Sequence, residues 1–522
     1  MIGDYMRKCL MIFMMCIPLV FSGCIEKNSI KDEEKRTTPI ISLENMPESL
    51  VSFQTKDEEE IGCALFEGLV TLGDSGEIEG ALAKEYKVSS DGITYEFMLR
   101  DDIFWSNGKE ITAYDFVDFF KNLLDPKQKI EGVENMYCIF GAKDYNQGKG
   151  QFSSVAIDSI DKKKLKIRMN YKDDSFLYNL TKPKFRLRKN FDLLKDYKNQ
   201  YENIDYSGAY KISSIKDDKI LKLKSNDKYW DAAKSQELDI SINSNEMATA
   251  AFGLGKVDFL FNLPLTESEA LEEYVDYAYV GDMYSVVFNM QKDKIGESIV
   301  FRKAIEESLK VLYIKDDIYK NGGFVDTRGN MNFISREQGA KLAMSSNEHD
   351  SVNLSKVNQW FKEMNFDKNT DLTLLCHKDN MSMFLGEKLR SVLKEELELN
   401  VRTSYLDDED YEKALSSGNF SFALKLFKDS KNPKDFFSCW TKDNEKNYGG
   451  YSSIEYEKIF QKYKTSSSDS DKVLLNQILK RDVPYIPVCY TSMSYGVSPN
   501  ISSLKLDGNN NINFKTIEFS VK

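Results

Sequence analysis

Short strand-like runs alternate with amphipathic helical runs along nearly the whole chain, and that alternation restricts it to an α/β fold. Residues 93–99 (ITYEFML) alternate apolar and polar side chains behind an Asp91-Gly92 turn, the pattern of a half-buried hairpin strand. Thr112 with Asp115 three residues on is a capping-box signature. Phe116, Phe119, Phe120 and Leu123 then form one apolar helical face, which Asp125-Pro126 ends. Residues 64–72 (ALFEGLVTL) begin with helical spacing and run into the turn cluster 73–76. Strands are predicted at 164–169, 220–223, 285–289 and 420–427. Helices are predicted at 245–254, 299–312, 383–397, 456–463 and 474–481, with Pro484 and Pro487 stopping the last.

A chain of 522 residues is long enough for two or three domains. Its net charge of −12, with no basic stripe, argues against nucleic acid, whose phosphates require clustered Lys and Arg. The 28 Tyr and 32 Phe supply core packing or the walls of a ligand cleft. Only two histidines, His349 and His377, are present, and no nucleophile elbow, metal-ligand cluster, phosphate loop or dinucleotide fingerprint occurs. The chain therefore reads as a non-enzyme without metal or cofactor. Beyond residue 24 five cysteines are widely spaced (Cys63, Cys138, Cys376, Cys439 and Cys489), and buried free thiols are the expectation.

Arg7 and Lys8 precede an apolar run over 9–21, too short to span a bilayer comfortably, and then Ser22, Gly23 and Cys24. A basic start, a short apolar stretch and small residues before a cut site describe a secretory signal over 1–23. Phe21-Ser22-Gly23-Cys24 resembles the lipobox of bacterial lipoproteins, with Phe21 where Leu is usual. The resemblance implies a diacylglyceryl group on Cys24, a flexible polar tether over 24–40, and attachment to the outer face of the cytoplasmic membrane.

Between 81 and 116 the chain carries Ala81-Leu82-Ala83, Tyr86, Ser90-Asp91-Gly92, Leu99-Arg100, Trp105-Ser106-Asn107-Gly108 and Thr112-Ala113-Tyr114-Asp115-Phe116. Leu65-Phe66-Glu67-Gly68-Leu69 precedes them. Ser207-Gly208-Ala209-Tyr210, residues 226–231 (NDKYWD), Gly255-Lys256-Val257-Asp258, Phe288-Asn289, Phe301-Arg302-Lys303-Ala304 and residues 484–490 (PYIPVCY) follow in order. In these landmarks the chain resembles the oligopeptide-binding proteins of ABC importers, solute-binding protein family 5. It departs from that pattern at Ser207, at Lys315-Asp316-Asp317, and over 324–335.

The resemblance implies a two-lobed periplasmic-binding-protein-like fold of the class II type with an extra inserted α/β domain. Lobe I would comprise 41–68, 190–282 and 494–522, the inserted domain 69–189, and lobe II 283–493. It implies a monomeric extracytoplasmic receptor that closes on oligopeptides and delivers them to permease subunits. A same-fold binder of a nickel chelate or sugar, or a signalling-peptide receptor, is the alternative. Asp429 takes the place of the carboxylate that anchors the peptide ammonium, and the strand through Lys425 and Phe427 would offer backbone partners to an extended ligand. Glu59, Ile61 and Gly62 would face the ligand from the opposite lobe, and Tyr137, Tyr284 and Tyr490 would line the cleft. A Cys24→Ser chain is expected to lose fatty-acyl label and leave the membrane fraction; unchanged labelling and sedimentation would contradict the anchor.

Overall fold

The computed structural model describes residues 36–73, 77–173, 175–263, 271–315, 324–326, 353–428, 433–466 and 468–520. The signal, Cys24 and Asp429 lie outside them.

One mixed sheet of eleven strands runs through the molecule. In chain order its strands are β1 (Ile40–Leu43), β2 (Tyr210–Lys216), β3 (Ile220–Ser225), β4 (Glu237–Ile242), β5 (Phe259–Phe261), β6 (Val275–Phe288), β7 (Phe324–Asp326), β8 (Leu372–His377), β9 (Val401–Leu406), β10 (Phe422–Phe427) and β11 (Tyr485–Val497). The spatial order is β9-β8-β10-β6-β11-β5-β1-β4-β3-β2, and β7 pairs with β11 off this path. A separate antiparallel sheet of four strands, with Thr94–Leu99 paired to both Ala83–Val88 and Lys164–Arg168, packs beside the helix Ala113–Leu123.

Two strands join the two halves of the main sheet. β6 and β11 have 14 and 13 residues and lie antiparallel from Val275↔Gly496 to Val287↔Tyr485. Their register shifts between Tyr279 and Met283, where β6 spends four steps against two on β11. Gly281 adopts φ +93° inside this bulge, a backbone state open to glycine but costly for a side chain. One hydrophobic cluster draws on residues between Ile41 and Phe261 and between Ile501 and Ile517. A second draws on residues between Met283 and Tyr490.

The ordered landmarks of the sequence become fixed points of these cores. Buried Glu67 accepts the Tyr229 hydroxyl and the Gly68 amide, with Arg186 at 3.5 Å. Ser207 Oγ accepts the Glu67 amide at 3.1 Å and donates to the Leu187 carbonyl at 2.7 Å. A Cβ on Gly208 would stand 2.5 Å from the Phe66 amide nitrogen, so only glycine fits there. Asp258, fully buried, accepts the Ile40 amide and an Arg36 guanidinium, each at 2.8 Å. Asn289 Nδ2 donates to the carbonyls of Gly418 and Phe420. Asp115 accepts both the Thr112 amide and hydroxyl, as the capping-box spacing predicts, and also the Trp105 indole.

Several elements differ from the sequence expectation. The helix expected to begin at 64 is Lys56–Leu65, capped by Thr55 and Glu58, and Val70–Leu72 is a strand. The β-branched Val70 and Thr71 favour extension once Gly68 has broken the helical run. Short strand 285–289 is the end of β6. Pro484 and Pro487 do not simply end a helix: Asp469–Asp482 stops at Val483, in a left-handed conformation, and β11 runs on through Pro487. Pro487 is tolerated where the register slips between Tyr284 and Ser285.

Arg302, from the landmark 301–304, holds this junction. Its guanidinium donates to the carbonyls of Gly296, Glu297, Asp482 and Val483 at 2.6–3.1 Å. Replacing it by Ala strips partners from buried carbonyls and is expected to cost about 3 kcal/mol. Denaturant unfolding of Arg302→Ala against wild type measures this, and Arg302→Lys should recover only part because it lacks the planar fork.

Candidate functional site

β10 is paired along its whole length on one side and along a third of its length on the other. With β6 it runs from Phe422↔Phe288 to Phe427↔Met283. With β8 it pairs only through Phe422↔Leu374 and Ala423↔Leu375. The Leu424 carbonyl is taken by the Tyr411 hydroxyl at 2.7 Å. The backbone of Lys425, Leu426 and Phe427 therefore presents an edge that no strand covers among the described residues. That edge opens on a cavity of about 840 Å³ lined by Lys425–Lys428, Asp435, Cys439, Tyr448 and Glu412.

The cavity wall is aromatic at its base and charged at its rim. Phe427 packs against Phe436, Trp440 and Tyr485, with ring centroids 5.5–6.3 Å apart. Lys425 Nζ lies 3.4 Å from Glu412 Oε1 and 4.7 Å above the Tyr448 ring. Glu412 also accepts the Tyr448 hydroxyl at 2.8 Å, and burial raises the pKa of that phenol. Lys425 is thus fixed by an ion pair and a ring rather than free in solvent.

Strand register decides which expected residues share a surface. Lys425 and Phe427 stand opposite Ser285 and Met283, whereas Leu426 stands opposite Tyr284. Successive side chains alternate faces, so Tyr284 belongs to the other face of the sheet. It is buried there, near Ser382, and burial raises its pKa to about 12. Tyr490, also buried, pairs with Met283 and with Val325 of β7. Tyr137 sits in the region of the four-stranded sheet, where its hydroxyl donates to Asn146.

Glu59, Ile61 and Gly62 lie on the helix Lys56–Leu65, and Ile61 belongs to the first core. Ile61 is fully buried, and a Cβ on Gly62 would meet the Phe53 ring at 2.7 Å, so both are packing positions. Glu59 is half-buried, and desolvation raises its carboxyl despite Lys56, Lys184 and Lys182 nearby. Lys182 has its pKa lowered by burial first and by Lys184 next, while Glu59 and Asp435 both act to raise it. It therefore lies within electrostatic reach of the opposite helix and of the β10 cavity wall. Glu412, Tyr448, Asp435 and Trp440 were not legible as site residues. The signal for the first was an i, i+3, i+4, i+7 face over Asp408, Tyr411, Glu412 and Leu415.

Two sheet halves, each with its own core and joined by paired crossing strands, define a bilobal solute-binding fold. The chain belongs to a family described as bacterial extracellular solute-binding proteins, family 5 Middle, whose profile matches residues 77–448. It is 25% identical to the oligopeptide-binding protein OppA of Bacillus subtilis (strain 168), over 98% of this chain and 99% of that one. It is also 25% identical to the dipeptide-binding protein DppE of the same organism, over 82% of this chain and 81% of that one. The unliganded open form of MppA, a periplasmic murein tripeptide binding protein, matches with TM-score 0.76 at 20% identity over 93% and 98% of the two chains. Haemophilus influenzae OppA in complex with RPPGFSPFR matches with TM-score 0.61 at 18% identity over 93% and 100%.

Next to Glu59, the fully buried Glu60 joins the helix to the C-terminal segment. It takes the Ile512 amide at 2.9 Å and Lys56 Nζ at 2.6 Å, and burial raises its pKa to about 7. A raised carboxyl pKa means that the folded chain binds the extra proton, so Glu60 costs stability as pH climbs from about 4.5 through about 7. Glu60→Gln is expected to flatten the fall in Tm over this interval, as differential scanning calorimetry at stepped pH would show. An unchanged slope would contradict the assignment.

Proposed function

We propose that the chain is the extracytoplasmic receptor of an ABC importer, capturing oligopeptides between its two lobes and delivering them to a membrane permease. The uncovered edge of β10 carries this reading. An extended peptide can pair with the backbone of Lys425, Leu426 and Phe427 whatever its side chains, which is how one site accepts many sequences. The cavity beside it, about 840 Å³, has room for several side chains. The names of the two Bacillus subtilis relatives support peptides over a nickel chelate or sugar.

Asp429 stands two positions after Phe427 in the sequence, and its carboxylate would take the peptide ammonium, a pair that strengthens as closure expels water. Lobe I over 41–68, 190–282 and 494–522, and lobe II over 283–493, meet in the bulge of β6, where Gly281 gives the chain room to bend. The segment 69–189 would form the inserted domain. The receptor binds without turnover, acts as a monomer, and is held to the membrane through lipid on Cys24.

Calorimetric titration with a mixed set of short peptides tests the reading. Wild type is expected to bind them saturably, and Asp429→Ala to lose about tenfold or more through the unpaired ammonium. Equal affinity for both proteins would remove Asp429 from the site. Saturable binding of a free sugar or of nickel, with none of peptides, would overturn peptide capture itself.

A further inference from the structure

His377 ends β8 and stands between two carboxylates. Its Nδ1 lies 2.7 Å from Asp379 Oδ2, and its Nε2 is hydrogen-bonded to Asp408 Oδ1. A neutral imidazole has one N–H and would turn a lone pair toward one of these anions; only the imidazolium donates to both. Both acids stand at helix starts, Asp379 partly buried and Asp408 exposed. Asp379 caps the helix Asn380–Glu395, accepting the Ser382 amide at 2.8 Å and its hydroxyl at 2.6 Å. Asp408 is the first residue of the helix Asp408–Ser416.

One turn along that second helix stand Tyr411 and Glu412. Tyr411 meets the His377 ring edge-on at 5.5 Å, and its hydroxyl holds the Leu424 carbonyl, just before the uncovered part of β10. Glu412 holds both Lys425 and Tyr448 on the cavity wall. We propose that His377 is a positioning residue for the ligand cleft: by tying Asp379 to Asp408 it seats the helix Asp408–Ser416, and so sets Glu412 and Lys425 at the edge that receives ligand. The inference rests on the reading of that edge as the binding site.

The other charged groups around His377 agree with a cationic ring. Lys378 pairs with Asp407 at 3.5 Å, which leaves Asp379 and Asp408 for the imidazolium. Tyr284 reaches the same corner from β6 through Ser382 and stays neutral, since burial raises its pKa to about 12. Lys425 Nζ lies 5.8 Å from the centroid of the Tyr411 ring, already engaged by Glu412. Partial burial pulls the His377 pKa down, and the hydrogen bonds and charges of Asp379 and Asp408 more than reverse this, so it lies above its ordinary 6.5. A raised histidine pKa stabilises the fold fully below the unfolded value of about 6.5 and loses that contribution as pH rises through the folded value. Ligand affinity should follow the same course.

With only two histidines in the chain, the titration can be read directly. Ring proton shifts of wild type and His349→Gln over pH 5–9 assign His377, expected to titrate above 6.5; titration at or below that value overturns the proposal. Peptide affinity is then measured at the two ends of this titration for wild type and His377→Gln. Wild type is expected to weaken by about threefold to tenfold toward high pH. His377→Gln should bind weakly at both ends, with no such difference between them, and bound peptide should raise the His377 pKa of wild type by reciprocity. A high His377 pKa with the same pH dependence of binding in both proteins overturns the positioning role alone. Wild type that binds no peptide at either pH fails the cleft reading and removes this role with it.

Discussion

The antiparallel contact between β6 and β11 is the constraint on which the rest of the architecture depends. These strands are the longest in the sheet, and they are members of both halves at once. Backbone hydrogen bonds between them fix the lateral relation of the two cores, while the bulge at Gly281 interrupts the ladder between the halves. A continuous ladder would make one rigid slab. Two unlinked chains would give no defined cleft. The interrupted pair of strands instead holds the two cores side by side while leaving the ladder open between Tyr279 and Met283.

Much of the fold was legible because the landmarks are structural. Glu67, Gly208, Tyr229, Asp258, Asn289 and Arg302 are all buried, and each meets a close partner inside the core. Capping at Thr112 and Asp115 was readable from spacing alone, since both partners lie within one turn. β11 was not readable, because its two ends belong to different surroundings and Pro487 interrupts its pattern. Local propensity cannot report a strand whose pairing comes from residues two hundred positions earlier.

The site was less legible than the fold, for a physical reason. A binding edge made of backbone leaves little trace in side chains. Lys425 and Phe427 were found through resemblance, and the structure places both on one face. Tyr284 lies on the other face, and Ile61 and Gly62 are core, because one-residue differences in register or helical phase exchange surface for interior. Glu412 and Tyr448 became visible only once tertiary structure had brought them to Lys425.

The two cores also differ in how the ribosome supplies them. The second draws on one uninterrupted stretch, between Met283 and Tyr490, so its parts arrive together. The first waits for both ends of the chain: Ile41 is among the earliest described residues, yet Ile512, Phe514 and Ile517 of the same cluster are among the last. Glu60 meets the Ile512 amide at a sequence separation of 452. The half of the molecule made first is therefore the half finished last. Until residues 501–517 dock, the apolar surface that they cover in the first cluster has no other cover from the second.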